Sequence, residues 1–239
     1  MCIRDSYKGV YQNVEETYAV DKTGQQIMDI NGAPVVVKNG DQKVYPGDAK
    51  YEDVNGDGVI DENDIVYLGN SNPTLTGGLN FTLRYKKLSL VAALHGRAGQ
   101  KVINESRINM ENMYGKNNQS VAVLRRWRSE GDNTDIPRAL YDKGYNYLGS
   151  DRFVEDASFL RLKTITFKYQ FPENWMKPLG INKLEIYATG YDLFVWTKYT
   201  GQDPEINLKN PDGSAAQVAI DSNNTPKAMR FAFGLNLRF

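Results

Sequence analysis

Strict alternation of apolar and polar residues runs through several stretches of the chain and is most regular in RFAFGLNLRF, at its end. An extended chain turns successive side chains to opposite faces, so a period of two indicates a β-strand with one apolar face. Here the polar or small face holds Ala232, Gly234, Asn236 and Arg238. The apolar face holds Phe231, Phe233, Leu235, Leu237 and Phe239.

Four earlier stretches alternate in the same way and predict four more strands. They cover about 77–85, 88–94, 164–171 and 183–196. A tight turn at Lys86–Lys87 joins the first two into a hairpin, and the connection PENWMKPLGIN between the last two is short. The other connections are long and polar. They comprise an insertion over 102–155, with helix-like pieces at 102–115 and 120–131, and an excursion over 199–226.

Long strands with short turns at one end and long loops at the other are typical of transmembrane β-barrels. In lipid every backbone N–H and C=O group must be paired, so such strands persist only in a closed ring. Five strands cannot close a wide barrel. The pattern therefore predicts an all-β, antiparallel barrel segment whose remaining strands lie elsewhere in a longer protein.

The stretch DVNGDGVIDEND, over 53–64, has the spacing of an EF-hand calcium loop. Such a loop supplies oxygen atoms from positions 1, 3, 5, 7, 9 and 12 and needs glycine at position 6, where φ is positive. Gly58 occupies position 6 and Ile60 the apolar position 8. The predicted calcium ligands are Asp53, Asn55, Asp57, the carbonyl oxygen of Val59, Asp61 and Asp64.

Two features qualify the calcium prediction. Position 12 is Asp64, where the full pattern has a glutamate that chelates through both oxygens, so fewer oxygens would bind the ion or would bind it more weakly. The flanking segments YPGDAKYE and IVYLGN lack helical periodicity, which favours a structural site over a sensor. Mutual repulsion of the carboxylates predicts that the loop orders around a cation. The alternative is a plain acidic turn.

Composition narrows the class of protein further. The 29 basic and 29 acidic residues balance, which removes the electrostatic case for nucleic-acid binding. Cys2 is the only cysteine, so neither a disulfide framework nor a thiolate metal cluster is expected. The longest apolar run, 90–94, is far below the ~20 residues of a membrane-spanning helix. The opening MCIRDS is interpreted as a non-native artefact, which predicts that the chain is a C-terminal fragment.

The chain resembles the C-terminal part of SusC/RagA-type TonB-dependent outer-membrane transporters of Bacteroidota. Four separated blocks carry the resemblance in the order found in that family. They are YEDVNGDGVIDENDIVYLGNSNPTLTGGLNFTLRYKKLSL, FVEDASFLRLKTITFKYQFP, YDLFVWTKYTGQDPEIN and the terminal RFAFGLNLRF.

The resemblance implies the last five or so strands of a barrel of about twenty-two. It divides the chain into the artefact 1–6, an extracellular loop region 7–73 with a small sheet and the calcium loop, and barrel strands with long, helix-containing extracellular loops over 74–239. It implies an outer-membrane importer of glycan or peptide fragments, capped by a SusD-like surface lipoprotein. Plug and TonB-contacting segments would lie in the missing N-terminal part.

Other interpretations stay open or carry little weight. The alternative function is a secreted, calcium-dependent, carbohydrate-binding β-sandwich. An enzyme is not expected, because His95 is the only histidine and the carboxylate pair Asp203 and Glu205 is expected on an open, unburied loop. The RRWR stretch at 125–128 favours a packed anchor over a ligand contact. Aromatic residues at strand ends favour anchoring at a membrane interface, namely Tyr85, Tyr169, Trp175 and Trp196.

Overall fold

The computed structural model describes residues 2–206, 219–222 and 225–239. The chain forms two compact units. One contains Met1–Ser71, Val102–Glu155 and the described part of Leu208–Asn223, and is here called the loop unit. The other contains Asn72–Lys101, Asp156–Asn207 and Asn224–Phe239, and is here called the sheet unit. The loop region predicted over 7–73 thus packs with two later segments that the sequence assigned to the barrel part.

The strands are mostly short before residue 72 and long after it. The short ones are β1 (Cys2–Arg4), β2 (Tyr7–Val10), β3 (Lys38–Asn39), β4 (Gln42–Lys43), β5 (Ala49–Tyr51), β6 (Val59–Ile60) and β7 (Val66–Gly69). The later ones are β8 (Leu75–Tyr85), β9 (Leu88–Ala98), β10 (Lys101–Ile103), β11 (Val154–Asp156), β12 (Phe159–Gln170), β13 (Lys183–Thr197) and β14 (Arg230–Arg238).

The helices are few and short. They are α1 (Glu105–Glu111) and α2 (Glu173–Met176). The second helix-like piece predicted from the sequence forms only a 3₁₀ turn, over Val121–Arg125, because its apolar side chains are too few to support a longer helix by packing. Among the described residues, no helix is long and apolar enough to cross a membrane.

The sheet unit is built on one five-stranded antiparallel sheet in the order β14-β13-β12-β9-β8. Every strand predicted from the alternation is present. Among these five strands, neighbours in the sheet also follow one another along the chain. The two-residue turn at Lys86–Lys87 and the short connection 171–182 lie at one end of the sheet, here called the turn end. The long connections 99–158 and 198–229 leave from the other, here called the loop end.

The strand register aligns the apolar positions into one continuous face. Across one row, Leu83 pairs with Leu90, Leu90 with Phe167, Phe167 with Ala188, and Ala188 with Phe233. The four apolar side chains of β14 are largely exposed, at 67% for Phe231, 80% for Phe233, 59% for Leu235 and 46% for Leu237. The faces assigned from the sequence are therefore confirmed, and one side of the sheet is an uncovered apolar surface.

A β-bulge interrupts β12 between Leu162 and Thr164. The extra residue, Lys163, has no partner across either neighbouring strand, so the side chains on the two sides of the bulge are offset by one residue. Leu160 and Leu162 precede the bulge on the apolar face, and Ile165 and Phe167 follow it on the same face. The sequence placed the start of this strand at 164 because the alternation changes phase at Lys163.

The loop unit has a small core beneath short sheets. β1 pairs with β7, β2 with β5, and β3 pairs with both β4 and β6. Turns lie at Asn31–Gly32 and Asn39–Gly40, and both glycines have positive φ. The pairing of β1 with β7 places 2–4 in a strand, while their artefactual origin stays a prediction. The core consists of Tyr11, Ala19, Val37, Val44, Ala49, Tyr51 and Ile60.

Candidate functional site: the aspartate loop and the polar face of the sheet

The aspartate loop, 53–64, bends at Gly58, as its spacing predicts, and also at Gly56. Gly56 and Gly58 have φ of +70° and +82°. A Cβ added to Gly58 would lie 2.8 Å from the Cβ of Ala19, so both backbone conformation and packing require glycine there. Directly after this bend, β6 pairs in parallel with β3, which attaches the loop to the core of the loop unit.

The first half of the loop is organised around Asp53 and Asp57. The Asp53 carboxylate accepts hydrogen bonds from the backbone N–H groups of Gly56 at 2.7 Å and Gly58 at 2.7 Å. Asp57 accepts from Val59 N–H at 2.8 Å and from the Asn55 side-chain amide at 2.9 Å. These donors supply positive potential that offsets part of the repulsion between neighbouring carboxylates.

The second half closes on Asp64, whose side chain is buried. Its carboxylate accepts from Val54 N–H at 2.8 Å and from Asp61 N–H at 2.9 Å, so it joins the two ends of the loop. Asp61 in turn accepts from Asn63 N–H, and the two aspartates form a capping box on a 3₁₀ turn over Glu62–Asp64. Asp64 therefore has a structural role that requires no metal.

The carbonyl oxygen of Val59 is not used in the pairing with β3. The carbonyls of Gly58 and Ile60 accept hydrogen bonds from Lys38 and Gly40 on β3. Because successive carbonyls of an extended strand point in opposite directions, the Val59 carbonyl faces away from β3. The six predicted ligands thus lie on one short, closed loop. Within the described part of the chain, no group of three or more His, Cys, Asp or Glu side chains converges as a metal-binding cluster, and calcium stays a prediction.

The polar face of the sheet carries a buried ion cluster near the loop end. Arg161, on β12, has a side chain only 3% exposed. Its guanidinium donates a hydrogen bond to Asp203, and its Nε atom lies 3.1 Å from Glu205 Oε2. Both carboxylates belong to the segment 199–206, which follows β13. The ion pairs therefore attach this segment to the polar face of the sheet.

Glu205 is the centre of the cluster. Lys163 Nζ donates to both of its oxygens, at 3.0 and 2.8 Å, and Lys227 Nζ lies 2.6 Å from Oε2. Burial alone would raise the pKa of Glu205, but the hydrogen bonds from the two lysines outweigh it and lower the pKa to about 2. The bulge in β12 puts Lys163 on the same face as Arg161, which makes this convergence possible.

A residue with an unusual backbone conformation, Asp192, also belongs to the cluster. Asp192, on β13, has φ of +51°, which is uncommon for a residue other than glycine. Its carboxylate lies 3.9 Å from Arg161 Nη1 and 4.0 Å from Arg230 Nη2. Asp192 therefore adds a third carboxylate to the four cations of the cluster, Arg161, Lys163, Lys227 and Arg230.

The expectation that Asp203 and Glu205 lie on an open, unburied loop is wrong. Asp203 has a side chain 8% exposed, and both carboxylates are paired with cations that come from β12 and from the segment before β14. The partners on β12 lie 42 residues away in the sequence, and Lys227 is also distant, so no local period could reveal them. The only local signal was the phase change at Lys163. His95 lies on the polar face as predicted and packs edge-on against Phe159, at 5.8 Å between ring centres.

A separate polar cluster stabilises the loop unit. Asp48 is fully buried and accepts two hydrogen bonds from Arg138, at 2.7 and 3.1 Å. Asn146 and Tyr145 donate to the same carboxylate, and burial beside Asp48 raises the pKa of Tyr145 to about 12. Trp127 of the RRWR stretch covers Gly47, where a Cβ would lie 2.3 Å from the indole ring, as expected for a packed anchor.

No family model matches the chain, but curated relatives do. TonB-dependent receptor P26 of Formosa agariphila is 35% identical over 198 residues, and TonB-dependent receptor P3 of the same organism is 30% identical over 197 residues. Each alignment covers 81% of this chain. TonB-dependent receptor SusC of Bacteroides thetaiotaomicron is 29% identical over 90% of the chain. The chain spans 19–20% of the length of these relatives.

Solved structures share the fold. The structure of the RagAB peptide importer in the closed-closed state matches 98% of this chain with a TM-score of 0.67 at 23% identity. The structure of the RagAB peptide transporter matches with a TM-score of 0.68 at 21% identity. In each case the match spans 22% of the solved chain. At this identity the comparison concerns the fold alone.

Proposed function

Because the chain belongs to the SusC/RagA-type TonB-dependent receptors, we propose that it is the C-terminal barrel segment of an outer-membrane importer. The observation that carries the proposal is the two-faced sheet. One face is a continuous, uncovered apolar surface, and the other holds the buried ions and polar side chains. Lipid on one side and a polar interior on the other account for both faces. The five strands would be the last of about twenty-two.

The orientation follows from the connections. The turn end would face the periplasm and the loop end the cell exterior, as short turns and long loops do in such barrels. Tyr85 and Tyr169 then lie at the periplasmic boundary of the membrane, and Trp196 at the outer boundary. We propose that the loop unit is extracellular.

The proposed cargo is an oligomer, either glycan or peptide. The name of RagAB describes a peptide importer, and SusC is named only as a TonB-dependent receptor. By analogy with these systems, a SusD-like surface lipoprotein would capture the cargo above the loop unit. TonB would deliver energy through a part of the complete protein that lies outside this chain.

The alternative, a secreted carbohydrate-binding β-sandwich, receives less support. A sandwich buries one face of each sheet in a shared core. The apolar side chains of β14 are instead exposed, and within the described residues no second large sheet packs against them.

Fractionation of cells that express the full-length gene product tests the proposal. We expect the protein in the outer membrane, extractable only with detergent, and uptake of labelled oligosaccharides or peptides that stops when TonB is deleted. A monomer that is soluble in plain buffer and absent from the outer-membrane fraction would exclude an importer and favour the sandwich.

We also propose that the aspartate loop binds Ca²⁺ as a structural ion. Its donor set suits this ion, because carboxylate, amide and carbonyl oxygens are the ligands that calcium prefers. Asp53, Asn55, Asp57, the Val59 carbonyl and Asp61 would hold the ion. Asp64, with its backbone hydrogen bonds, would chiefly close the loop.

Limited proteolysis of the full-length protein tests the calcium proposal. We expect cleavage near 53–64 to be faster in EDTA than in Ca²⁺, and Asp57→Ala to abolish this difference. Asp41→Ala, an exposed aspartate outside the loop, is the matched control and should retain it. Digestion of the parent protein at the same rate in EDTA and in Ca²⁺ would contradict the calcium proposal and favour a plain acidic turn.

A further inference from the structure

The polar face has a second cluster of charges, at the turn end of the sheet. Five cations line a cleft of about 360 Å³ there, together with one carboxylate, Glu185. The cations are Arg84, Lys86, Lys87, Lys168 and Lys183. This group is here called the basic cleft, and it lies within the sheet unit.

Of the five cations of the basic cleft, only Lys183 has a carboxylate partner among the described residues. Glu185 lies 3.5 Å from Lys183 Nζ and accepts a hydrogen bond from the Asn236 side chain. Across residues 2–206, 219–222 and 225–239, no carboxylate oxygen approaches within 4 Å of the charged nitrogens of Arg84, Lys87 or Lys168. At the loop end, by contrast, three carboxylates pair with four cations. The two ends of one face thus differ sharply in charge balance.

The strand register gives the basic cleft the geometry of an anion site. Arg84 pairs with Ser89, and Ser89 pairs with Lys168, so the two cations flank one hydroxyl group on alternate strands. With neighbouring strands about 4.8 Å apart, the two backbones lie roughly 10 Å from each other. Long cationic side chains at that separation can converge on one group between them. A carboxylate or a sulfate ester would accept hydrogen bonds from both cations and from the hydroxyl.

We propose that the basic cleft binds anionic groups, carboxylates or sulfate esters, on the oligomer that the complete protein imports. This inference rests on the proposed import function and narrows its cargo to acidic oligomers. A cleft lined by charges of one sign concentrates its field and raises the local concentration of the opposite charge. The cleft lies at the end of the face that an imported molecule would reach last.

The lining favours a small anionic ligand over a protein surface. Between the cations the cleft presents Thr82, Ser89 and Gln170, with Val91 as its one apolar lining residue among those the structure describes. The buried centre of a protein interface is typically apolar and depleted in charge. Acidic oligosaccharides offer the complementary chemistry, which is charge and hydroxyl groups without a large apolar anchor.

Titration of the purified full-length protein in detergent tests the proposal. The probes are a tetramer of galacturonate, neutral maltotetraose and inorganic sulfate. The affinity for each is measured by calorimetry at low and at high salt. We expect the acidic tetramer to bind and the neutral one not to bind. Binding should weaken about tenfold or more in the double variant Arg84→Gln and Lys168→Gln, since each lost contact is worth a few-fold. Lys116→Gln, an exposed lysine of the loop unit, is the matched control and should bind like the parent.

The double variant must be folded, which the heat-dependent gel mobility of the barrel reports. Equal affinity of a folded double variant and the parent for the acidic tetramer would overturn the proposal, as would sulfate binding that the double variant retains unchanged. A photo-crosslinker placed at position 168 would also overturn the proposal if it reacted only with an acidic segment of the same protein and if the parent bound no tetramer. That result would show an intramolecular contact. TonB-dependent uptake, measured in cells that express the parent and the double variant, tells failure of this inference apart from failure of the import function.

Discussion

At the scale of single residues, the buried ion cluster has the greatest energetic consequence. Arg161 is almost fully removed from water, so its charge depends on carboxylates from the segment 199–206. Leaving a buried charge without its partner costs several kcal/mol, whereas exposed pairs contribute little. The position of the segment on the sheet therefore depends on a few oxygen atoms.

Asp203→Asn keeps the shape of the side chain and removes its charge. We expect it to destabilise the attachment of the segment 199–206 by about 3 kcal/mol, because the Arg161 guanidinium loses its closest partner. Trypsin cleavage near Lys198, in the full-length protein, should accelerate strongly. Glu52→Gln breaks the exposed pair with Lys8, at 2.8 Å, and should change stability by less than about 1 kcal/mol. Equal effects of the two substitutions would contradict a buried cluster.

The low pKa of Glu205 predicts how the attachment of the segment 199–206 to the sheet responds to acid. Its pKa is about 2 in the folded protein and is lowered from an ordinary value of 4.5 by Lys163 and Lys227. A lowered pKa gives a stability contribution that is complete above pH 4.5, declines as the pH falls below that value, and is lost below about 2. With pepsin at pH 4, the parent should be cut in 199–206 more slowly than Glu205→Gln. At pH 2, where about half of Glu205 is protonated, most of this difference should be gone. A difference as large as that at pH 4 would assign the protection to another group.

At the scale of secondary structure, glycine positions decide how side chains cover the polar face. Gly234 of β14 lies opposite Tyr187 of β13, and the phenol ring lies across it. A Cβ on Gly234 would lie 2.4 Å from the ring, far inside van der Waals contact. Gly77 on β8 has nothing within 4 Å of such a Cβ. The two glycines therefore have different roles in the same sheet.

Gly234→Ala should displace Tyr187 and lower the stability of the folded barrel by about 1–3 kcal/mol, as overpacking does. Gly77→Ala should be neutral to within about 0.5 kcal/mol. The measurement is the temperature at which the full-length protein loses its compact mobility in a detergent gel. Adding Tyr187→Ala to Gly234→Ala should restore part of the loss, and no recovery would mean that the ring is not the obstacle.

The alternation in the sequence predicted all five long strands and the faces of the apolar residues within the predicted bounds, because a period of two survives wherever a sheet has one apolar side. The bulge at Lys163 was missed, although Leu160 and Leu162 are out of phase with Ile165 and Phe167. At this position a period of two predicts a strand boundary, whereas the structure has a bulge within one strand. Contacts such as Arg161 with Asp203 depend on where two distant loops fold, and no local pattern encodes them.

At the scale of the whole molecule, the central question is which face of the sheet meets lipid. Phe233 lies midway along the edge strand β14, in the same row of the apolar face as Phe167 and Leu90, and is 80% exposed. The neighbouring residue, Ala232, belongs to the polar face and pairs with Thr189. A lysine at either position adds the same charge to the same strand, so the two substitutions compare the two faces of the sheet at equal added charge.

Phe233→Lys in the full-length protein should cost about 2–4 kcal/mol, because a lysine near the bilayer centre must be desolvated or must reach toward the interface. The amount of folded barrel in the outer membrane should fall, as measured by heat-dependent gel mobility. Ala232→Lys should assemble nearly as well as the parent, since its amine would enter the polar interior. Should Ala232→Lys be the more harmful of the two, the apolar face would be turned inward, and the lipid-facing assignment on which the import function depends would be wrong.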